Sequence, residues 1–331
     1  MKKQFGFMRR GCLAWALLGA LAAMPASVSA EEYPARPVRI IVGFAPGSAT
    51  DLAARAIAEQ LGRATSARFV VENRPGAGSI PAIQALKGSP ADGYTLMLSA
   101  GSALVQNPGV RSDLPYDPLT DLTPIARVFK LHGVLVANPN LPVNNLAELI
   151  EYARKNPNSL NYGSSGVGMA NHLGMEVLLG KTGAKMTHVP YKGDNQVALD
   201  LVAGRVDVAM QTLSTAMPLI AAGKQRPLAV LSMKRVALAP ALPGLSETGV
   251  EGLELLDPFT FVGLVGPAGM PEDRVQKISR WVQEGLRDSS LTAKLNEMGY
   301  EPSPMESAEF RRYIALELQR WKAMGKSLRL F

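Results

Sequence analysis

Four short clusters rich in glycine and hydroxyl residues each follow an apolar run: Phe44-Ala45-Pro46-Gly47-Ser48-Ala49-Thr50-Asp51, Ser99-Ala-Gly-Ser102, Gly163-Ser164-Ser165-Gly166-Val-Gly168 and Tyr191-Lys192-Gly193-Asp194. Such residues offer hydroxyl groups and main-chain N–H groups as donors. Where a chain turns from a strand into a helix, the first amides of that helix have no intrahelical partner, and the helix dipole makes them attractive to an anion. The chemistry on offer is the holding of a carboxylate, not the breaking of a bond. The first cluster is the sharpest of the four. Pro46-Gly47 ends an apolar run over 40–44, and Ser48 to Asp51 supply helix-start residues ahead of the periodic Leu52, Ala53, Ala56 and Ile57.

Templates for covalent chemistry fit poorly. A nucleophile elbow G-x-S-x-G is missing, because in Gly163-Ser-Ser-Gly166-Val167 the second glycine comes one position early. Gly180-Lys181-Thr182 resembles the end of a P-loop, but the required upstream glycine position holds Met175. Gly166-Val-Gly168 does not continue to a third glycine at Asn171, so the dinucleotide fingerprint fails. His132, His172 and His188 lack metal-ligand spacing, and no metal or cofactor is expected. His172 follows a glycine turn at a helix start and could face a ligand, whereas His132 and His188 flank apolar strands and read as structural. Arg74 could meet an anion or hold its own turn together, and Asp207 reads as the end or cap of a strand. The enzymatic alternative is an exported hydrolase using Ser164 or Ser165 with His172, but the sequence supplies no carboxylate to orient the histidine.

The elements that must position these clusters alternate. Apolar strands over 38–44, 94–98 and 133–137 are interleaved with helix-like stretches over 52–61, 145–154 and 196–202, the βαβ signature of a mostly parallel sheet with helices on both faces. Residues 307–328 carry Phe310, Ile314, Leu318, Trp321 and Met324 near helical spacing, as a core-facing terminal helix would. About 300 residues exceed one comfortable core and point to two domains. Ligands of open α/β sheets collect outside the carboxyl ends of strands, so the four clusters would converge if two sheets faced each other across a cleft.

The amino terminus reads as a secretory signal: basic Met1 to Arg10, an apolar stretch over 13–24, and small residues up to Ala30 suited to cleavage before Glu31. Four of the 35 basic residues lie in that segment, leaving 31 against 28 acidic ones in the mature chain, with no concentrated basic face for nucleic acid. The single cysteine, Cys12, lies in the same segment, so the exported protein has neither disulfide nor thiolate nucleophile.

Six blocks then occur in order: Tyr33-Pro-Ala-Arg-Pro-Val-Arg-Ile-Ile-Val with Phe44-Ala-Pro-Gly and Ala49-Thr-Asp51; Val71-Glu-Asn-Arg-Pro-Gly-Ala-Gly78; Asp92-Gly-Tyr-Thr-Leu-Met-Leu98; His188-Val-Pro-Tyr-Lys-Gly193; Gly204-Arg-Val-Asp207; and Pro267-Ala-Gly269. Together they resemble the Bug receptors, the extracytoplasmic solute-binding proteins of tripartite tricarboxylate transporters. The resemblance implies an α/β, type II periplasmic-binding-protein-like fold, two α/β lobes with a ligand cleft between them, and a small organic acid held by main-chain amides and bridging waters. It implies a monomer in the periplasm that works with the membrane subunits of the transporter, binds no nucleic acid and needs no cofactor; a ligand-sensing subunit for a sensor kinase would share these features. The family's ligand loops fall on Phe44 to Asp51, Tyr191 to Asp194 and the turn Ser164 to Gly166. Two departures stand out, since Ser48 replaces the second glycine of Pro-Gly-Gly and Ser79-Ile80-Pro81 replaces a glycine-asparagine after Gly78. The expected division is 31–132 with 259–331 for one lobe and 133–258 for the other, with hinge crossings near 129–136 and 258–263.

Overall fold

The computed structural model describes residues 33–257 and 259–328. The expected signal peptide, Cys12 and Pro258 lie outside the described residues. From Arg36 onward the chain forms one compact unit that holds two sheets.

The first part of the chain runs β1 (Val38–Val42), α1 (Ala49–Thr65), β2 (Phe69–Asn73), α2 (Ile80–Lys87) and β3 (Thr95–Ala100). A π-helical turn, Ser102–Gln106, and the short α3 (Asn107–Val110) lead to β4 (Leu122–Leu131). After the single residue His132 the chain enters the second sheet: β5 (Gly133–Ala137), α4 (Leu146–Lys155), β6 (Asn161–Ser164), α5 (Ala170–Thr182), β7 (Thr187–Pro190), α6 (Asp194–Val202), β8 (Val208–Thr212), α7 (Leu213–Ala221) and β9 (Arg226–Val230). It then returns through β10 (Thr260–Pro267), α8 (Glu272–Gly285), α9 (Ser289–Glu297), β11 (Tyr300–Glu306) and α10 (Ser307–Leu328).

The six-stranded sheet has the order β11-β4-β10-β3-β1-β2, and the five-stranded sheet has the order β7-β6-β8-β5-β9. Each contains a parallel triplet of one design. β1 lies between β2 and β3, and β6 lies between β7 and β8. In such a triplet the connections leaving the middle strand and the third strand diverge to opposite sides, opening a crevice at their carboxyl ends. The loops after β1 and β3, and those after β6 and β8, therefore border two such crevices.

The strands that build these crevices are apolar almost throughout. Every residue of β3 and β10 is buried, as are Val38, Ile40, Ile41 and Val42 of β1, the pattern of strands covered on both faces. The terminal helix spans 307–328 as its periodicity predicts, with Phe310, Ile314, Leu318 and Trp321 in the core. Several boundaries differ from the sequence reading. β1 stops at Val42, two residues early, and β3 extends to Ala100, so Ser99 is a strand residue with a wholly buried side chain and not part of a loop. Ser102 is also buried, inside the π-helical turn. β6 likewise runs on to Ser164, whose side chain is wholly buried. Leu52, read as part of an apolar face, is 43% exposed on α1, which packs instead through Ala53, Ala54, Ile57 and Leu61.

Candidate functional site

The loop after β1 is organised by one carboxylate. Asp51 is 1% exposed and its oxygens accept from the Gly47 amide at 2.9 Å, from Asn73 Nδ2 at 2.8 Å and from Arg55 Nε at 3.1 Å. Asn73 also donates to the Phe44 carbonyl at 3.0 Å, tying the loop to the end of β2. Burial opposes ionisation of Asp51, but the hydrogen bonds from Arg55, Gly47 and Asn73 outweigh it and hold the carboxyl below its usual range. The N-cap of α1 is Ser48, whose hydroxyl accepts from the Asp51 amide at 3.3 Å, so the residue that departs from Pro-Gly-Gly has a local use. With the Ser48 amide bonded to the Ala45 carbonyl and the Asp51 amide to Ser48, the amides of Ala49 and Thr50 are those for which the helix supplies no acceptor. Ala45 and Gly47 are exposed and Phe44 is half-buried, which leaves the loop open to solvent at its tip.

In the second sheet a chain of polar contacts joins the loops after β6, β7 and β8. Ser165 donates its amide and its hydroxyl to Asn171 Oδ1, at 3.2 and 3.0 Å. Asn171 Nδ2 donates to Asp194 Oδ1 at 2.8 Å, and the Thr212 amide points to Asp194 Oδ2 at 3.4 Å. Burial raises the Asp194 carboxyl above its usual range and outweighs the hydrogen bonds from Thr212, Ser165 and Asn171 that lower it. Gly193 occupies the N-cap of α6 without a side-chain cap, leaving that helix start to present its first amides. Tyr191 is anchored by its amide to the Ser164 carbonyl and by its hydroxyl to Asp200 Oδ2, each at 2.8 Å, while the Lys192 amide donates to Gln196 Oε1 at 3.0 Å and its side chain is exposed.

The histidines are not as separate as their spacing suggests. His188 stacks between Tyr162 and His172, with ring centroids 4.8 and 4.3 Å away, and its Nε2 lies 2.6 Å from Ser164 Oγ. His172 does not stand open towards a ligand: it is 7% exposed, and its Nδ1 accepts from the Gly168 amide at 3.2 Å, pinning the turn after β6. Ser164 is paired with His188 instead of His172. Arg74 is bonded to Glu72, which disposes of it as a free anion contact. Asp207 precedes β8, where its Oδ2 accepts from the Asn161 amide at 2.7 Å.

Close approaches pack the loops around Asn107, and one of them, at Gly168, joins the two sheets. A Cβ on Gly43 would lie 2.3 Å from Ser79 Oγ, one on Gly78 3.0 Å from Asn107 Nδ2, and one on Gly168 2.4 Å from Asn107 Oδ1. Gly78 and Gly168 both adopt left-handed backbone, at φ of 66° and 78°. A separate concavity of about 400 Å³ lies beside α3 and α10, but its Arg111 is already paired with Asp113, so size alone does not mark the site.

Residues 53–330 match the model of the tripartite tricarboxylate transporter family receptor. The chain belongs to this receptor family. Among its relatives is protein BugT of Bordetella pertussis, 34% identical over 303 residues that cover 91% of this chain and 92% of BugT. The structure of R. palustris Rpa4515 with adipate superposes with a TM-score of 0.83 at 35% identity, covering 90% of this chain and 99% of that one. MatC (Rpa3494) from Rhodopseudomonas palustris with bound malate gives a TM-score of 0.80 at 25% identity, over 88% of this chain and 100% of that one. As in those receptors, the fold is type II periplasmic-binding-protein-like, with two α/β lobes. Within this receptor family frame, sequence reasoning missed Arg55, Asn73, Asn107, Asn171 and Thr212. Asn73 stands in a quoted block that assigns it no role, and the others lie outside every block, where no local signal marks them.

Proposed function

We propose that the protein is a periplasmic receptor that holds a small organic acid between its lobes and delivers it to the membrane subunits of a tripartite tricarboxylate transporter, without turning it over. The observation that carries this reading is the pairing of two helix starts with amides to spare, at Ala49 and at Asp194, each on a loop at the carboxyl end of its sheet. Similarity to receptors seen with adipate and malate supports a carboxylate as the ligand class. The candidate contacts are Phe44, Ala45, Gly47, Ser48, Ala49, Thr50 and Asp51 on one side and Ser165, Gly166, Tyr191, Lys192, Gly193 and Asp194 on the other, with Ser99, Ser102, Ser164 and His172 buried behind them as support. Asp51 orders donors for the anion and does not touch it as a charge. Hydrolysis at Ser164 and His188 is disfavoured because the serine hydroxyl is shut off from solvent.

A panel of mono-, di- and tricarboxylates and aromatic acids, followed by thermal melting, tests the reading. A true ligand at a hundredfold excess over its dissociation constant stabilises the fold by about 2.7 kcal/mol. An unmoved melting temperature across the whole panel defeats the proposal.

The lobes are taken as 31–132 with 259–331 and as 133–258, the mature chain beginning near Glu31 as a monomer. Support for this division comes from the sheet change, which falls between Leu131 and Gly133 on the way out and before Thr260 on the way back. Closure about these two crossings would let both helix starts share one ligand. Small-angle scattering is expected to show a smaller radius of gyration with saturating ligand, and an unchanged radius with full occupancy rules out closure.

A further inference from the structure

Asn107 is buried to 2% exposure, yet its Oδ1 has no hydrogen-bond partner. A carbonyl oxygen taken out of water without a donor is costly, and native structures keep such a group where something else supplies the donor. Its location says what that could be. Asn107 opens α3, just past the π-helical turn that follows β3, and its amide reaches Gly78 on one side and Gly168 of the second sheet on the other. Beyond Gly78, Ser79 packs on Gly43 at the end of β1, and beyond Gly168, a Cβ on Gly166 would lie 3.5 Å from the Tyr191 carbonyl. The amide thus stands between the loops after β2 and β6, which in turn pack on the loops after β1 and β7. It is also held firmly, because Gly109 packs so closely on α10 that a Cβ there would be 2.3 Å from Trp321 Cβ.

We propose that Asn107 contacts the ligand directly, its side-chain carbonyl accepting a hydrogen bond from a hydroxyl or ammonium group that the bound acid carries beside its carboxylate. This deepens the carboxylate-receptor reading and rests on it. The helix-start amides hold the anionic group, which any carboxylate satisfies. The neutral acceptor at Asn107 neither repels that group nor rewards a plain hydrocarbon chain, so it separates substituted acids from unsubstituted ones of the same length. A site built to pair a donor rejects the analogue that lacks it, because its own acceptor is then left unpaired.

Isothermal titration with matched acids tests this: succinate, malate and aspartate; glutarate, 2-hydroxyglutarate and glutamate; adipate and 2-aminoadipate. At whichever chain length binds, the donor-bearing acid is expected to bind about tenfold tighter than the plain one, the effect of one net hydrogen bond. In Asn107→Leu, of similar shape but without an acceptor, the preference should fall to within about twofold while the ligand-free melting temperature holds or rises. Asn107→Asp keeps the acceptor and should keep the preference, with weaker binding of every acid. A wild type that binds plain and substituted acids equally overturns the inference and leaves the receptor reading intact, as does a preference that survives in Asn107→Leu. If none of these dicarboxylates binds, this inference fails, while the receptor reading stands or falls by the wider thermal panel.

Discussion

Replacing Asp51 with alanine is expected to lower the affinity for the bound acid by about a hundredfold and to destabilise the fold by about 2–3 kcal/mol. A helix cap alone would cost about 1 kcal/mol. The larger figure follows from what the carboxylate holds: the Gly47 amide, Asn73 Nδ2 and Arg55 all lose their acceptor together, and the first two are needed to fix the loop that presents Ala49 and Thr50. Arg55, half-exposed, can turn to water, but Gly47 and Asn73 are held in place by the loop itself. Asp51→Asn should lose less, since an amide oxygen can still accept one of these bonds. Urea denaturation and titration calorimetry with an acid found in the thermal screen provide the measurement. Full affinity in Asp51→Ala would show that the loop is ordered by other means.

Acidification is expected to weaken the protein between about pH 6.5 and 4, before most carboxylates titrate. Burial lowers His172 and His188 from 6.5 to about 4, and for His188 the neighbouring His172 charge adds to the effect. With the folded values below the unfolded ones, the unfolded chain takes up protons first as the pH falls, so stability drops through this window and levels off below about 4. For His172 alone the loss amounts to about 3 kcal/mol, and because the stacked rings repel each other when charged, the pair does not simply double it. Asp51 behaves in the opposite sense. Its carboxyl is held low in the folded state, so its contribution persists through this window and is lost only at still lower pH. His172→Asn retains an acceptor near the Nδ1 position for the Gly168 amide and should flatten the profile from pH 6.5 to 4. An equally steep profile in the variant would remove His172 as the cause.

Much of this architecture was legible in the sequence, and the places where it was not have physical reasons. Periodicity located the terminal helix at 307–328 and the helix start at Ser48, because burial and capping are local demands that local composition must meet. The loops at the carboxyl ends of β1, β6 and β7 were visible as glycine and hydroxyl clusters. What could not be read was which side chains point into the protein. Ser99, Ser102 and Ser164 look like loop hydroxyls in a sequence, but strand extension past the expected boundary buries Ser99 and Ser164, and the π-helical turn buries Ser102. The His172 and His188 stack, the Asn171 to Asp194 contact and the Asn107 approach to Gly168 join residues that only the folded sheets bring together. Such contacts leave no periodic trace.

The order of strands also dictates a schedule of assembly. The five strands of the second sheet are consecutive in the chain, so that sheet can close as soon as β9 has been made. The first sheet cannot. β4 has β10 and β11 as its neighbours, and the Ser307 hydroxyl that reaches back to the Pro124 carbonyl does so across 183 residues. Until the carboxyl-terminal segment arrives, β3 and β4 are apolar edges with nothing to pair with, and pairing at such separation is slow. Synthesis from the amino terminus therefore leaves the half that begins first to be finished last, and a nascent chain truncated between Val230 and Thr260 would carry one complete sheet and one aggregation-prone remnant.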